Sequence, residues 1–496
     1  MFKRFLRVEI ILVILILAGI FLRFYNLDVP LHGDEVIFGI SALKLHHQGF
    51  EAGKDFVVEH PPLGKWFVGL PSEFINADYD SLKLLGRDMF VWSYLAYNPL
   101  ANNFVAMRAM EAIMGTTALF LIFLITRRLF GFTPALWSTT LAALSFEMVG
   151  YSRVIFMESP MILFALLSLF LYINYLNFSG KKRHLYFGLF FISLTATLLT
   201  RHIQPLFLLP IFAVSQFFVN RHNLKENIYF LLFVGISYYL VFHVIFPQDI
   251  LGFGQSRFGY SGPLGFISFK VFSVIGHLIF RNSFLFLAGL IAMGYVTTQI
   301  VRKKLTDKIH PAIIIFFVLA FLIFSSLSFT LPRHYIFMFL PLYIFGGYAL
   351  HKVSNNKILL VGLLLLAVIN AVQLVQSSPD FLTYTNFGLD KFQSFPTAAS
   401  EELENRLNIL NEEKASAVMT NDVNVLIFFK GKAIPMTPAL DIMCTNSTVS
   451  SLDLDNLTVL YVPHSSKFNF IDDQFVCGFL RARAGESNVK VLEIWA

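Results

Sequence analysis

Long apolar runs recur through the first three quarters of this chain, broken by short polar stretches in which Lys and Arg collect. A bilayer core takes about 20 apolar residues per helix. The pattern therefore predicts about eleven membrane spans, roughly 8–24, 103–125, 133–150, 155–177, 184–200, 203–219, 228–246, 271–300, 311–330, 335–351 and 357–376. The first run follows Met1-Phe2-Lys3-Arg4, is long, and is not followed by a small-residue cleavage site, so it reads as an uncleaved anchor. After residue 376 the period changes. An amphipathic helix is expected over 397–413 and another near 422–430, with strands at Ala415–Thr420, Leu457–Val462 and Val489–Trp495. The chain thus divides into a polytopic helical part, 1–376, whose first outer loop is 24–102, and a soluble α/β domain, 377–496.

Composition agrees with that division: 56% hydrophobic residues, 57 Phe, only 14% charged residues and a mean hydropathy of +0.65 exclude a wholly soluble protein. Charge adds orientation. Short cytoplasmic loops retain positive charge, and Lys3, Arg4, Arg7, then Arg127, Arg128, then Lys181, Lys182, Arg183, then Arg221, Lys225, then Arg302, Lys303, Lys304, Lys308, then Lys352, Lys357 fall on alternate turns. The intervening short turns carry one Arg each, Arg153, Arg201 and Arg333. This sets the N-terminus in the cytoplasm and puts residues 24–102 and the C-terminal domain outside it, in a prokaryotic plasma or inner membrane. The formal net charge of +6 hides two opposite parts, because residues 377–496 carry 15 acidic and 9 basic side chains and leave 17 and 29 to the remainder. Basic residues at span ends suit membrane lipid; they form no stripe interleaved with aromatics, so nucleic acid is not an expected partner. The sequence leaves the oligomeric state open.

Both cysteines, Cys444 and Cys477, fall in the acidic domain, where either a disulfide of an oxidising compartment or two buried thiols fits. Asn446-Ser447-Thr448 and Asn456-Leu457-Thr458 match glycosylation sequons on the same side.

The candidate chemistry lies in the first outer loop. Val36–Leu45 and Trp66–Phe74 have helical apolar faces and predict short helices lying in the interface. They hold Asp34 and Glu35 at the level of a lipid phosphate, where ionisable groups are costly unless they function. Transfer from a sugar phosphate needs a base for the acceptor hydroxyl's proton and cations for the leaving phosphate. Partial desolvation of Asp34 favours its protonated form and suits that proton transfer. Glu59-His60-Pro61-Pro62 has two readings: a loop that starts a helix at Leu63, or a rigid turn aiming Glu59 and His60 at the same cavity, with Lys65 following. Glu35, Glu59 and His60 are the candidate ligands if a divalent cation is bound; none is required by the pattern. Arg108, Arg201-His202, Arg257 and Arg333-His334-Tyr335 supply basic and polar groups for a phosphate, against the alternative that each Arg snorkels to a lipid head. Glu111, one turn from Arg108, reads as its ion-pair partner. The Gly-rich stretch 247–270 is either a lid over the site or a plain connection.

Asp34-Glu35, Glu59-His60-Pro61-Pro62-Leu63-Gly64-Lys65 and Arg108 together resemble the protein O-mannosyltransferases, dolichyl-phosphate-mannose-protein mannosyltransferases within the GT-C class of lipid-linked sugar transferases. In that family the Asp of the first-loop pair is catalytic, an Asp-x-His-Pro-Pro-Leu-Gly-Lys segment follows, and an Arg opens the next span. Here the acidic residue, Glu59, is adjacent to the His. Pro332-Arg333-His334-Tyr335 through Leu340-Pro341 is similar to the Arg-Tyr and Leu-Pro signature of the related aminoarabinose transferases, with His334 interrupting it. No long β-trefoil insertion is present, unlike the eukaryotic protein enzymes. The resemblance implies a GT-C fold and an inverting transfer of a sugar, mannose first, from a polyprenyl or dolichyl phosphate. Asp34 is then the base, and Glu35 positions substrate or a cation. Protein Ser/Thr is the first expected acceptor, with a glycolipid or envelope glycan second. A transporter or flippase of lipid-linked sugars is the alternative from another class, and it would carry its charges deep within the spans. A structural scaffold leaves the first-loop motifs unexplained.

Overall fold

In the computed structural model, the residues described are 2–25, 27, 33–50, 61–77, 79, 99–201, 205, 208–219, 223–245, 336–353, 405, 407–412, scattered positions within 291–319, and the strands 417–420, 432–435, 457–461 and 489–493. The helices are α1 (Phe2–Phe24), α2 (Gly33–His47), α3 (Pro62–Gly69), α4 (Pro99–Phe130), α5 (Phe132–Ala143), α6 (Phe146–Tyr151), α7 (Glu158–Asn177), α8 (Gly180–Thr200), α9 (Leu208–Val219), α10 (Leu224–Tyr239) and α11 (Ile336–Val353). A 3₁₀ turn, Leu70–Phe74, continues α3, and a π turn, Leu240–Ile245, continues α10. Among the described residues three helical segments are long and apolar enough to cross a membrane, Asn102–Phe130, Glu158–Asn177 and Leu224–Ile245. The expected spans 8–24 and 184–200 also fall on helices, α1 and α8, and the described parts of 203–219 and 335–351 contain α9 and α11. Residues 357–376, and most of 271–300 and 311–330, lie outside the description.

One expected span needs correction. The run 133–150 is two helices, because the chain breaks at Leu144-Ser145 and Ser145 caps α6 by accepting from the Met148 amide. A serine hydroxyl that bonds a nearby backbone group offers the chain an alternative to helix, and this one also meets the Tyr343 hydroxyl at 2.6 Å. The twelve residues of α5 reach only about 18 Å at 1.5 Å per residue, short of a hydrocarbon core of about 30 Å.

The chain forms two compact units. One comprises residues 1–25, 59–64 and 111–393; the other comprises 26–58, 65–110 and 394–496. The core of the first unit is built on small and hydroxyl residues that let helices approach. Helices α7 and α8 are joined by two residues and pack along their length, with Ser168 Oγ donating to Ser193 Oγ at 3.0 Å. At Gly347 of α11 an added Cβ would lie 2.0 Å from Ser138 Oγ of α5, and Ser138 Oγ donates to the Ile344 carbonyl at 3.1 Å. Close packing through small residues is how helices associate where lipid competes equally for apolar contact. Arg23, fully buried, closes the end of α5: its Nη1 donates to the Gly19 and Ala143 carbonyls at 2.6 and 2.9 Å, and its Nη2 to Ala142 at 3.2 Å. The Ala142 and Ala143 carbonyls are ones that a helix end leaves without an internal partner.

The second unit contains α2, α3 from Lys65 onward, the first turns of α4, and a parallel four-stranded sheet of order β2-β1-β3-β4. The strands are β1 (Ala417–Thr420), β2 (Lys432–Pro435), β3 (Leu457–Tyr461) and β4 (Val489–Glu493). In register, Ala417 faces Lys432 and Leu457, and Leu457 faces Val489. Three strands coincide with the apolar runs singled out in the sequence. The fourth, β2, carries the short run Ala433-Ile434 ending at Pro435, too brief for periodicity to signal. The expected helix over 397–413 is seen at 405 and 407–412; Cys444, Cys477 and both sequon asparagines lie outside the described residues.

Candidate functional site

Asp34 and Glu35 are the second and third residues of α2, where the helix dipole favours negative charge. Glu35 is fully buried and meets Arg108 of α4 as a two-pronged pair: Arg108 Nε donates to Oε1 at 2.9 Å and Nη2 to Oε2 at 2.6 Å. Arg108, 1% exposed, also donates from Nη1 to the Leu27 carbonyl at 2.8 Å. A planar guanidinium matches a carboxylate in this parallel geometry, and each partner removes the cost of burying the other. The approach of α2 to α4 depends on Gly39, where an added Cβ would fall 2.2 Å from the Phe104 ring. Lys65 of α3 is fully buried in the same unit.

The far end of α2 is pinned as well. His46 Nδ1 lies 2.7 Å from Glu73 Oε1 and Nε2 lies 2.8 Å from the Trp66 carbonyl, with the ring stacked on Trp66 at 5.9 Å. His47 stacks on Tyr79 at 3.6 Å, and its Nε2 is 3.0 Å from Ser72 Oγ. The Tyr79 hydroxyl in turn donates toward Asn103 Oδ1 of α4, 2.9 Å away. His46 and His47 both hold the 3₁₀ turn, because consecutive helical side chains diverge and each meets a different polar group.

Burial pushes the His47 imidazole below its ordinary value of 6.5, with Glu73 opposing that shift and His46 reinforcing it; burial likewise pushes the Tyr79 phenol up. A folded-state value below the unfolded one contributes stability that is present above about pH 6.5 and is lost as pH falls through the lowered value. Acidification is therefore expected to loosen the 3₁₀ turn from α2. Hydrogen exchange of peptides spanning 70–79, corrected for intrinsic rates, should show protection at pH 7.5 that declines toward pH 5. In His47→Phe that dependence should flatten, and equal protection at both pH values in the unaltered protein would refute the role given to His47.

The first unit holds a second ionic cluster. Arg201, just past α8, pairs with Glu158 at the start of α7 and donates from Nη1 to the Phe156 carbonyl at 2.6 Å. Between them Met157 adopts the left-handed conformation, φ 66°, a rare geometry for a non-glycine residue and one that concentrates at functional turns. Its amide donates to Glu111 Oε1 at 3.1 Å. Gly64 lies against this turn, since a Cβ there would sit 3.0 Å from the Thr200 carbonyl and 3.2 Å from Met157 Sδ. Gly64, the end of the Pro61-Pro62-Leu63-Gly64 segment, is thus packed on the residues next to Arg201 and Glu158, and α3 begins at Pro62 rather than Leu63.

Several expectations are placed by this geometry. Arg108 pairs with Glu35, and the partner expected for it, Glu111, instead accepts from Met157. Arg153 and Arg201 are both buried rather than reaching for lipid heads. Arg108 belongs to one unit and Arg201 to the other. Glu59, His60, His202, Arg257, Arg333, His334, Tyr335 and the stretch 247–270 fall outside the described residues. Among the described residues no three His, Cys, Asp or Glu side chains form a set that could hold a metal ion. Sequence reasoning missed Glu158, although an acidic residue inside the apolar run 155–177 is a signal of cost that calls for a partner.

Residues 13–247 match the family model described as dolichyl-phosphate-mannose-protein mannosyltransferase. That stretch contains α2, α3, Arg108, Glu158 and Arg201, so both clusters lie in the matched region. No curated protein matches the chain. Among solved structures, ArnT from Cupriavidus metallidurans bound to undecaprenyl phosphate is similar at a TM-score of 0.54 and 14% identity, over 97% of this chain and 89% of that one. ArnT from the same organism in the apo state aligns at a TM-score of 0.48 and 17% identity, over 68% of this chain, which spans 59% of that structure's length. The oligosaccharyltransferase from Archaeoglobus fulgidus tethered with an acceptor peptide aligns at a TM-score of 0.48 and 12% identity, over 86% of this chain and 63% of that one. The likeness to ArnT with undecaprenyl phosphate shows a shared fold, the GT-C fold of helical membrane proteins.

Proposed function

We propose that this chain is a membrane glycosyltransferase that moves a sugar, mannose first, from a polyprenyl or dolichyl phosphate to an acceptor outside the cytoplasm, with protein Ser/Thr as the first acceptor. The observation that carries the reading is the buried Glu35–Arg108 pair beside Asp34 at the start of α2, within the region matched by the mannosyltransferase model. The fold it shares with an undecaprenyl-phosphate-bound ArnT supports a lipid phosphate as the donor's carrier.

In this reading the acceptor hydroxyl attacks the anomeric carbon from the face opposite the phosphate. Asp34 takes the hydroxyl proton, the new C–O bond forms as the bond to the phosphate oxygen breaks, and polyprenyl phosphate leaves with inversion. Glu35, gripped by Arg108, fixes the first turn of α2 and so aims Asp34. Arg201 and Lys65, with His202, Arg257, Arg333, His334 and Tyr335, are the proposed groups for the leaving phosphate, and Arg suits that task because its fork is planar and always charged. Glu59 and His60 remain the proposed partners for substrate or a divalent cation; a cation at Glu35 would share a carboxylate that Arg108 already binds through both oxygens.

The test is direct. Purified protein in lipid is incubated with polyprenyl-phosphate mannose and other polyprenyl-phosphate sugars, with and without chelator, alongside Ser/Thr peptides and glycolipid acceptors, and products are identified by mass spectrometry. A mannosylated peptide of inverted anomeric configuration is the expected product. Transfer only to a glycolipid would move the acceptor to the second choice, and donor translocation without any product would replace the enzyme by a transporter.

A further inference from the structure

At the opposite end of α4 from Arg108 the first unit carries a group of cations that the proposed chemistry does not use. Arg127 and Arg128 end α4, and Lys181 and Lys182 begin α8. Two of them converge on one ring: Arg128 Cζ lies 6.0 Å and Lys182 Nζ 5.8 Å from the centre of Phe178, which stacks on Tyr186 at 5.0 Å and 13°. The next basic residue behaves differently. Arg183 is paired with Glu226 and lies over the Tyr175 ring at 4.9 Å. Arg127, Arg128, Lys181 and Lys182 are all exposed, and among the described residues no carboxylate comes within 4.0 Å of any of them.

An apolar track starts at the same place. Lys181 heads a single stripe of α8 that continues through Leu185, Leu189 and Ile192, and all three apolar side chains are exposed. A stripe with spacing of three and four residues lies along one helix face. A positive head on an exposed apolar track matches the two halves of a phospholipid, a phosphate and an acyl chain, whereas a soluble phosphate would have no use for the track.

We infer that this corner is a binding site for an anionic phospholipid, whose headgroup phosphate sits between Arg128 and Lys182 at the edge of Phe178, with Lys181 beside it and an acyl chain along Leu185, Leu189 and Ile192. The site takes the annular lipid that anchors the α7–α8 hairpin to the bilayer surface. It is separate from the sugar donor and does not depend on the catalytic reading.

Native mass spectrometry of the full chain, released from bilayers of equimolar phosphatidylglycerol and phosphatidylcholine, reads the site. Retained lipid should be enriched in phosphatidylglycerol, and Arg128→Gln and Lys182→Gln should each lower that enrichment by roughly fivefold, the factor expected for one basic residue at an anionic surface. Arg128→Lys and Lys182→Arg should keep it, which separates loss of charge from loss of fold. Equal retention of the two lipids, or full enrichment in the Arg128→Gln/Lys182→Gln double variant, overturns the inference. Displacement of the lipid by millimolar inorganic phosphate or by soluble polyglutamate also overturns it, in favour of a phosphate or an acidic protein partner.

Discussion

Asp34→Asn is expected to slow sugar transfer by roughly 10²- to 10⁴-fold, the range contributed by a positioned general base. Asn keeps the size of the side chain and gives up only the small dipole interaction of a charge in the first turn, so α2 should still begin at Gly33 and Glu35 should still reach Arg108. The loss should therefore appear in the chemical step, with donor binding retained. Single-turnover transfer at saturating donor, compared with donor affinity measured without acceptor, separates the two. Turnover at the level of the unaltered protein would take Asp34 out of the mechanism. A collapse of donor affinity with an unchanged chemical step would assign it to binding.

Much of the fold was legible because the signals were local. Apolar runs near bilayer length announced α1, α4, α7, α8 and α11, and strand-like runs announced β1, β3 and β4. The break of the run 133–150 was hidden for a physical reason: hydropathy counts Leu144-Ser145-Phe146 as tolerable within a span, whereas the Ser145 hydroxyl caps α6 and is held by Tyr343, nearly two hundred residues later. The candidate site divides the same way. The Asp34-Glu35 position at a helix start follows from nearby residues, and so does the helix at the Pro61-Pro62 turn, expected from Leu63 and found one residue earlier. The partner of Arg108 does not, because helical spacing favours Glu111 while the tertiary fold brings Glu35 from 73 residues away. The Arg201–Glu158 pair was likewise split, Glu158 lying in the expected span 155–177 and Arg201 in the turn after 184–200. The left-handed Met157 that joins its parts has no sequence signature, since such turns usually advertise themselves with Gly or Asn.

Removing one member of the Glu35–Arg108 pair is expected to cost more than removing both. With both side chains almost wholly enclosed, Glu35→Ala leaves a buried guanidinium and Arg108→Ala a buried carboxylate, each a loss of about 3–5 kcal/mol of stability. The double replacement Glu35→Leu/Arg108→Met restores a neutral, space-filling contact and should be more stable than either single variant, so the cycle should show strong coupling. Arg108→Lys should recover part of the loss, because an ammonium supplies charge without the two parallel hydrogen bonds. Thermal unfolding in detergent or lipid gives the stabilities; small and additive costs would show that the pair contributes little. Activity then separates support from alignment. If the pair only stabilises the unit, the double variant should transfer sugar normally at temperatures where it is folded. If it fixes the first turn of α2 so that Asp34 meets the acceptor, the double variant should stay slow even when fully folded, with donor affinity nearly unchanged.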